Sequence, residues 1–147
     1  MSAHFVKPRI LIVDDTPHIR ELIKLFYDEY DIDLIEGANG HDAVEMARAC
    51  APDLILLDIQ MPVMNGYEAA VILKNDKAVK NIPLLVMTGM AYGDVTERIS
   101  GMYDGYLSKP FLQEDLIKAT MQCLPNALYK PQAGAETNMS YCALKDY

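Results

Sequence analysis

Tryptophan is absent and cysteine is scarce. The three cysteines, Cys50, Cys123 and Cys142, stand far apart with no CxxC spacing. That argues against a disulfide framework or a thiolate metal site and points to reduced thiols in a cytoplasmic protein, two of them on helix faces. Also missing is any apolar run near the roughly 18–20 residues that a spanning helix needs. The opening MSAHFVKPR lacks the apolar core of a signal peptide. Positive charge is in short supply: 13 Lys and Arg against 21 Asp and Glu leave a net charge of −8 and a pI near 4.7. This balance argues against direct binding to nucleic acid or to an anionic membrane. Histidine is rare too, and His4, His18 and His41 all read as surface residues.

What is present suits one domain. The chain has 147 residues, 51% of them apolar, enough for a single core. Short apolar runs alternate with segments of helical period. RILIVDD (Arg9 to Asp15) reads as a strand, and Thr16-Pro17 starts a helix, with proline where its missing N–H matters least. Ile19, Leu22, Ile23, Phe26 and Tyr30 follow at helical spacing. DLIEGA (Asp33 to Ala38) is a second, weaker strand. Asn39-Gly40 turns the chain into a helix over 41–50, with Ala43, Met46, Ala47 and Cys50 inward. LILLDI is the third strand. Asn65-Gly66 opens a helix running to about Lys77. IPLLVMTG holds a fourth strand ending at Thr88, and a short polar helix is expected over about 93–100. GYLSKP is the fifth strand. Phe111 leads into a last helix with Leu112, Leu116, Ala119 and Cys123 on one stripe. From Pro125 the pattern dissolves into a tail. Five apolar strands separated by helices imply a parallel sheet covered on both faces.

The carboxyl ends of these strands carry the chemistry. Asp14, Asp15, Asp58, Thr88 and Lys109 all fall there, where open α/β sheets bind ligands. Three carboxylates brought together repel one another unless a hard cation joins them. Mg²⁺ accepts such oxygen ligands, commonly with a phosphate. A lysine and a hydroxyl suit phosphoryl oxygens, and a carboxylate can be the nucleophile that forms an aspartyl phosphate.

On ILIVDD, LILLDIQMPVMNGYE, LLVMTG and GYLSKPF, in that order over residues 9–124, the sequence resembles the receiver domain of two-component response regulators, in its chemotaxis-regulator-like form. The resemblance implies an α/β, flavodoxin-like, doubly wound five-stranded parallel sheet in strand order 2-1-3-4-5, with helices on both faces. Residues 1–124 would be the receiver and 125–147 a flexible C-terminal tail. Asp58 would accept a phosphoryl group from a sensor histidine kinase or a phosphotransfer protein. Mg²⁺ would be held by Asp15 and Asp58, by Asp14 through water, and by the backbone carbonyl of Gln60. Thr88 would contact the phosphoryl group and Lys109 pair with it. Pro110 matches a cis-peptide proline, and Tyr106 a switch aromatic that turns inward as Thr88 moves. The resemblance further implies a stand-alone cytoplasmic signalling phosphoprotein of a phosphorelay. It would not be a turnover enzyme, and it would make contact with an output protein rather than nucleic acid or membrane. A homodimer through the fourth-helix to fifth-helix face is one assembly it allows.

The text departs from the family between Thr88 and Lys109. Gly89 and Met90 follow the threonine, and SGMYDGYL precedes the lysine, so the fourth helix is expected to be irregular. Met90 is a candidate shield that lengthens the phosphoryl lifetime. Two other readings stand beside the receiver: a receiver-like interaction module that is never phosphorylated, and an aspartyl-phosphate phosphatase. The phosphatase lacks an acid two residues past its nucleophile, where Gln60 stands. A flavin-binding domain is a weaker rival still, because the DDTPH loop would repel a bare phosphate.

Overall fold

The computed structural model describes residues 7–61, 63–89 and 101–124. The short polar helix expected over 93–100, Met90, Pro62, His4 and the 125–147 tail with Cys142 lie outside the described residues.

Five strands form one sheet: β1 (Arg9–Val13), β2 (Asp33–Gly37), β3 (Leu54–Asp58), β4 (Leu84–Thr88) and β5 (Gly105–Ser108). All neighbouring pairs are parallel, in the order β2-β1-β3-β4-β5. The helices are α1 (Pro17–Phe26), α2 (Gly40–Cys50), α3 (Gly66–Lys74) and α4 (Gln113–Cys123). The expected flavodoxin-like architecture is therefore the observed one.

Strand alternation sorts the core into two layers. Ile10, Ile12, Leu54, Leu56, Leu85, Met87 and Leu107 pack with α1 and α4 through Ile23, Tyr27, Leu116 and Ala119. Leu11, Val13, Ile55, Leu57, Leu84 and Val86 pack with α2 and α3 through Ala43, Ala47, Ala70 and Leu73. Every residue of β3 and β4 is buried. This is why those strands read as unbroken apolar runs: both of their faces are covered.

The helix ends follow local chemistry. Thr16 is the N-cap of α1 with Pro17 behind it. Asn39 caps α2 by accepting from the Asp42 amide at 2.8 Å. Asn65 and Glu68 form a reciprocal capping box on α3. Two stripe assignments shift. Leu112 stands one residue before α4 and is 65% exposed rather than inward. Leu22 is 37% exposed, while Tyr27, one residue past α1, is buried and hydrogen-bonded to Thr120 Oγ1 at 2.7 Å. α3 stops at Lys74, short of Lys77. The Lys74 ammonium there bonds the carbonyls of Lys80 and Ile82 and the carboxylate of Asp104.

Candidate functional site

The register brings the acids together. Val13 pairs with Leu57, so Asp14, the next residue after β1, comes level with Asp58 at the end of β3. Asp58 pairs with Met87 and Thr88 with Ser108, which sets Thr88 and Lys109 along the same edge. By strand alternation, Asp14, Asp58 and Lys109 follow Ile12, Leu56 and Leu107 towards the α1/α4 side. Thr88 and Tyr106 share the other face, following Val86.

Asp14 and Asp58 are buried, Asp15 is exposed, and carboxylate oxygens from all three lie within 4.8 Å of one another. Lys109 Nζ donates to Asp14 Oδ2 at 2.6 Å and lies 3.3 Å from Asp58 Oδ2. Asp58 Oδ1 accepts the Gln60 amide at 3.1 Å. Burial, then repulsion from Asp14, pushes the Asp58 pKa up to about 6, against the pull of Lys109 and of the Gln60 amide. Burial works against the Lys109 charge, yet its hydrogen bond to Asp14 and the field of Asp58 hold its pKa above the ordinary lysine value. An all-oxygen cluster with one exposed and two buried carboxylates suits a hard divalent cation.

The loop after Asp58 explains its glycine. A Cβ on Gly66 would lie 2.4 Å from the Asp58 carbonyl oxygen and 2.5 Å from Ile59 Cα. Only glycine lets α3 start against the strand end, where its amide donates to the Ile59 carbonyl at 2.9 Å. The loop is pinned from α2 as well: the Gly40 amide donates to the Met64 carbonyl at 2.9 Å. Between these anchors Val63, 90% exposed, adopts φ +70°. Gln60, exposed, points its amide oxygen towards Gly89, 4.0 Å from where a Cβ would stand.

The remaining sequence-derived residues fall as follows. Thr88 is fully buried at the end of β4. The Lys109 amide donates to the Thr88 carbonyl at 2.8 Å, and the Lys109–Pro110 bond is cis. Tyr106 is half-buried against the α2/α3 layer. His18 and His41 are exposed. Sequence reasoning missed Arg20, which donates to the Asp14 carbonyl, and Gly37, whose carbonyl accepts the Asp14 amide. No local signal marks either, because both contacts depend on how α1 and β2 dock on β1.

The sequence matches the family of response regulator receiver domains over residues 10–121. It is similar to the master transcriptional regulator RpaA of a Synechocystis strain, 31% identical over 90% of this chain, and spans 55% of that protein's length. It is similar to Protein PilH of Pseudomonas aeruginosa, 34% identical over 75% of this chain and 92% of PilH. Among solved structures it resembles the receiver domain of the sensor histidine kinase PA1611 from the same species, which holds a magnesium ion in its active-site cleft. The TM-score is 0.75 at 26% identity, over 82% of this chain and 99% of that one.

Proposed function

Given that the chain belongs to the response regulator receiver domain family, we propose that Asp58 is its phosphoryl acceptor, with Asp14, Asp15, Thr88 and Lys109 completing the site. The observation that carries this reading is the buried Asp58 carboxylate, with Lys109 Nζ 3.3 Å away and two further carboxylates within 4.8 Å. A receiver acts by gaining and losing a phosphoryl group on its own side chain, not by turning over an external substrate.

The carboxylates of Asp14, Asp15 and Asp58 and the backbone carbonyl of Gln60 would hold Mg²⁺. The magnesium in the PA1611 receiver supports that choice of ion. Bound there, the ion would neutralise the acids and the charge on a phosphoryl group. The chain's own residues do the rest. An Asp58 carboxylate oxygen attacks the phosphorus of a phosphohistidine: the new O–P bond forms, the N–P bond breaks, and its electron pair returns to the imidazole, which takes up a proton. Lys109, held between Asp14 and Asp58, is the cation ready to follow the phosphoryl oxygens. Thr88 supplies a hydroxyl from β4. Thr88 and Tyr106 share one face of neighbouring strands, which supports their coupling as a switch: drawing Thr88 to the phosphoryl group frees space for the Tyr106 ring.

The donor is a sensor histidine kinase or a phosphotransfer protein, and the output is a protein contact, with dimerisation through the face from the helix expected over 93–100 to α4 as one form. Residues 1–124 form the receiver and 125–147 its tail. A cytoplasmic setting fits the absence, among the described residues, of any helix long and apolar enough to cross a membrane. The test is intact mass after incubation with a small phosphodonor, with and without Mg²⁺. One labile phosphoryl adduct that needs Mg²⁺ and is absent in Asp58→Asn is the expected result. An adduct that persists in Asp58→Asn assigns the acceptor elsewhere. No adduct, even with a phosphorylated kinase, favours the unphosphorylated interaction module.

A further inference from the structure

Every polar atom of Asp14 has a partner. Its amide donates to the Gly37 carbonyl at 3.2 Å, Oδ1 accepts the Thr16 amide at 2.9 Å, Oδ2 accepts Lys109, and its carbonyl oxygen accepts Arg20 Nη1. Arg20 leaves its side chain only 17% exposed, and its Nε donates to Glu36 Oε1 at 2.9 Å. The guanidinium fork therefore joins the end of β1 to β2 from the end of the first turn of α1. We propose that Arg20, held by Glu36, is a positioning residue that fixes the Asp14–Asp15 pair for cation binding by gripping the Asp14 backbone. The inference rests on the reading of these acids as the metal site.

Three points lead to it. The grip is on the carbonyl, so it fixes the residue without occupying the carboxylate that a cation needs. Glu36 pairs with the guanidinium, so its charge opposes a bound cation less than an unpaired guanidinium would. Lys109 is shared between Asp14 and Asp58 and is the group a phosphoryl oxygen attracts. Once it turns away, Asp14 keeps the Thr16 amide on its carboxylate, with Gly37 and Arg20 on its backbone. Arg20 is then the one side chain still holding it among the described residues. A planar fork suits two acceptors at fixed separation, which a lysine ammonium serves less well.

The sign of the effect separates this role from a mere charge. Removing a cation near three carboxylates should tighten metal binding by electrostatics alone. Losing a positioning contact should weaken it. Mg²⁺ is titrated calorimetrically into the full chain at pH 8, with thermal unfolding recorded in parallel. The proteins are the wild type, Arg20→Gln, Arg20→Lys, Glu36→Gln, the double variant and Lys24→Ala. Lys24 binds the other Glu36 oxygen at 3.0 Å and does not touch Asp14, so it controls for general loosening. Arg20→Gln and Glu36→Gln are expected to weaken Mg²⁺ roughly tenfold. The double variant should be no worse than the weaker single, Arg20→Lys intermediate, and Lys24→Ala unchanged. Glu36→Gln removes an anion and would weaken Mg²⁺ by charge alone, so if Arg20→Gln does not fold, Arg20→Lys, which keeps the charge and loses the fork, carries the test. Unchanged or tighter binding in the variants overturns the proposal, as does equal weakening in Lys24→Ala. A wild type that binds no Mg²⁺ instead removes the metal-site reading itself.

Discussion

Asp58 is placed where its charge is unfavourable until something joins it. Burial and the neighbouring Asp14 carboxylate raise its pKa to about 6, above the ~4 of an unfolded aspartate. A carboxyl whose folded pKa is raised contributes stability below the unfolded value and loses it as pH climbs through the folded one. Without metal, the protein should therefore lose stability between about pH 4 and 6 through this group. Asp58→Asn removes that loss: in chelator, denaturant unfolding should show the variant more stable by on the order of 2 kcal/mol at pH 8, with the gap closing by about pH 4. A gap that stays constant with pH would disprove the assignment. Val63 offers a second residue-scale test. It is β-branched at φ +70° and 90% exposed, so it bears backbone strain with little packing in return. Val63→Asn, which tolerates that conformation, should raise stability by about 0.5–1 kcal/mol in denaturant unfolding. Asp58 was legible in the sequence, because an acid closing an unbroken apolar run stands out. Its raised pKa and the Val63 conformation were not, since both depend on how β1, α2 and α3 close around the loop.

At the scale of elements, close approach and capping decide where the site residues stand. Gly66 lets α3 start against the end of β3, and the added Cβ of Gly66→Ala would strike backbone atoms that cannot swing aside. That variant should lose at least about 2–3 kcal/mol in unfolding and bind Mg²⁺ more weakly, because the loop carrying Gln60 must shift. The joint between α1 and α4 gives an asymmetric pair. Thr120 Oγ1 also bonds the Leu116 carbonyl at 2.7 Å, so Tyr27→Phe leaves the hydroxyl a partner and should cost about 1 kcal/mol. Thr120→Val strands the buried Tyr27 hydroxyl and should cost about 1–3 kcal/mol in the same denaturation experiment. The elements themselves were readable from period and punctuation: Thr16-Pro17, Asn39-Gly40 and Asn65-Gly66 open the first three helices where the sequence puts them. The errors cluster at helix ends. Leu112 has helical spacing to Leu116 but precedes the first turn. Tyr27 follows the last turn of α1 and is buried through its partner on α4, 93 residues away in sequence.

At the scale of the molecule, the sheet gathers unlike charges from distant sequence at one edge. Asp14, Asp58 and Lys109 converge because parallel strands end in register. Their arrangement links metal affinity to the stability of the whole fold. A cation that binds only the native state stabilises it by about 2.7 kcal/mol at a hundredfold excess over Kd. Binding must displace the proton that Asp58 carries below pH 6, so the stabilisation should fade as pH drops through that value. Thermal unfolding with and without saturating Mg²⁺ should show a clear rise in midpoint at pH 8 and almost none at pH 5. The rise should also shrink sharply in Asp58→Asn at pH 8, because the variant has lost both a ligand and the repulsion that the ion relieves. A shift of equal size at both pH values would mean that the ion stabilises the protein from somewhere else. A pH-dependent shift retained in Asp58→Asn would mean that Asp58 is not the group that carries the linkage.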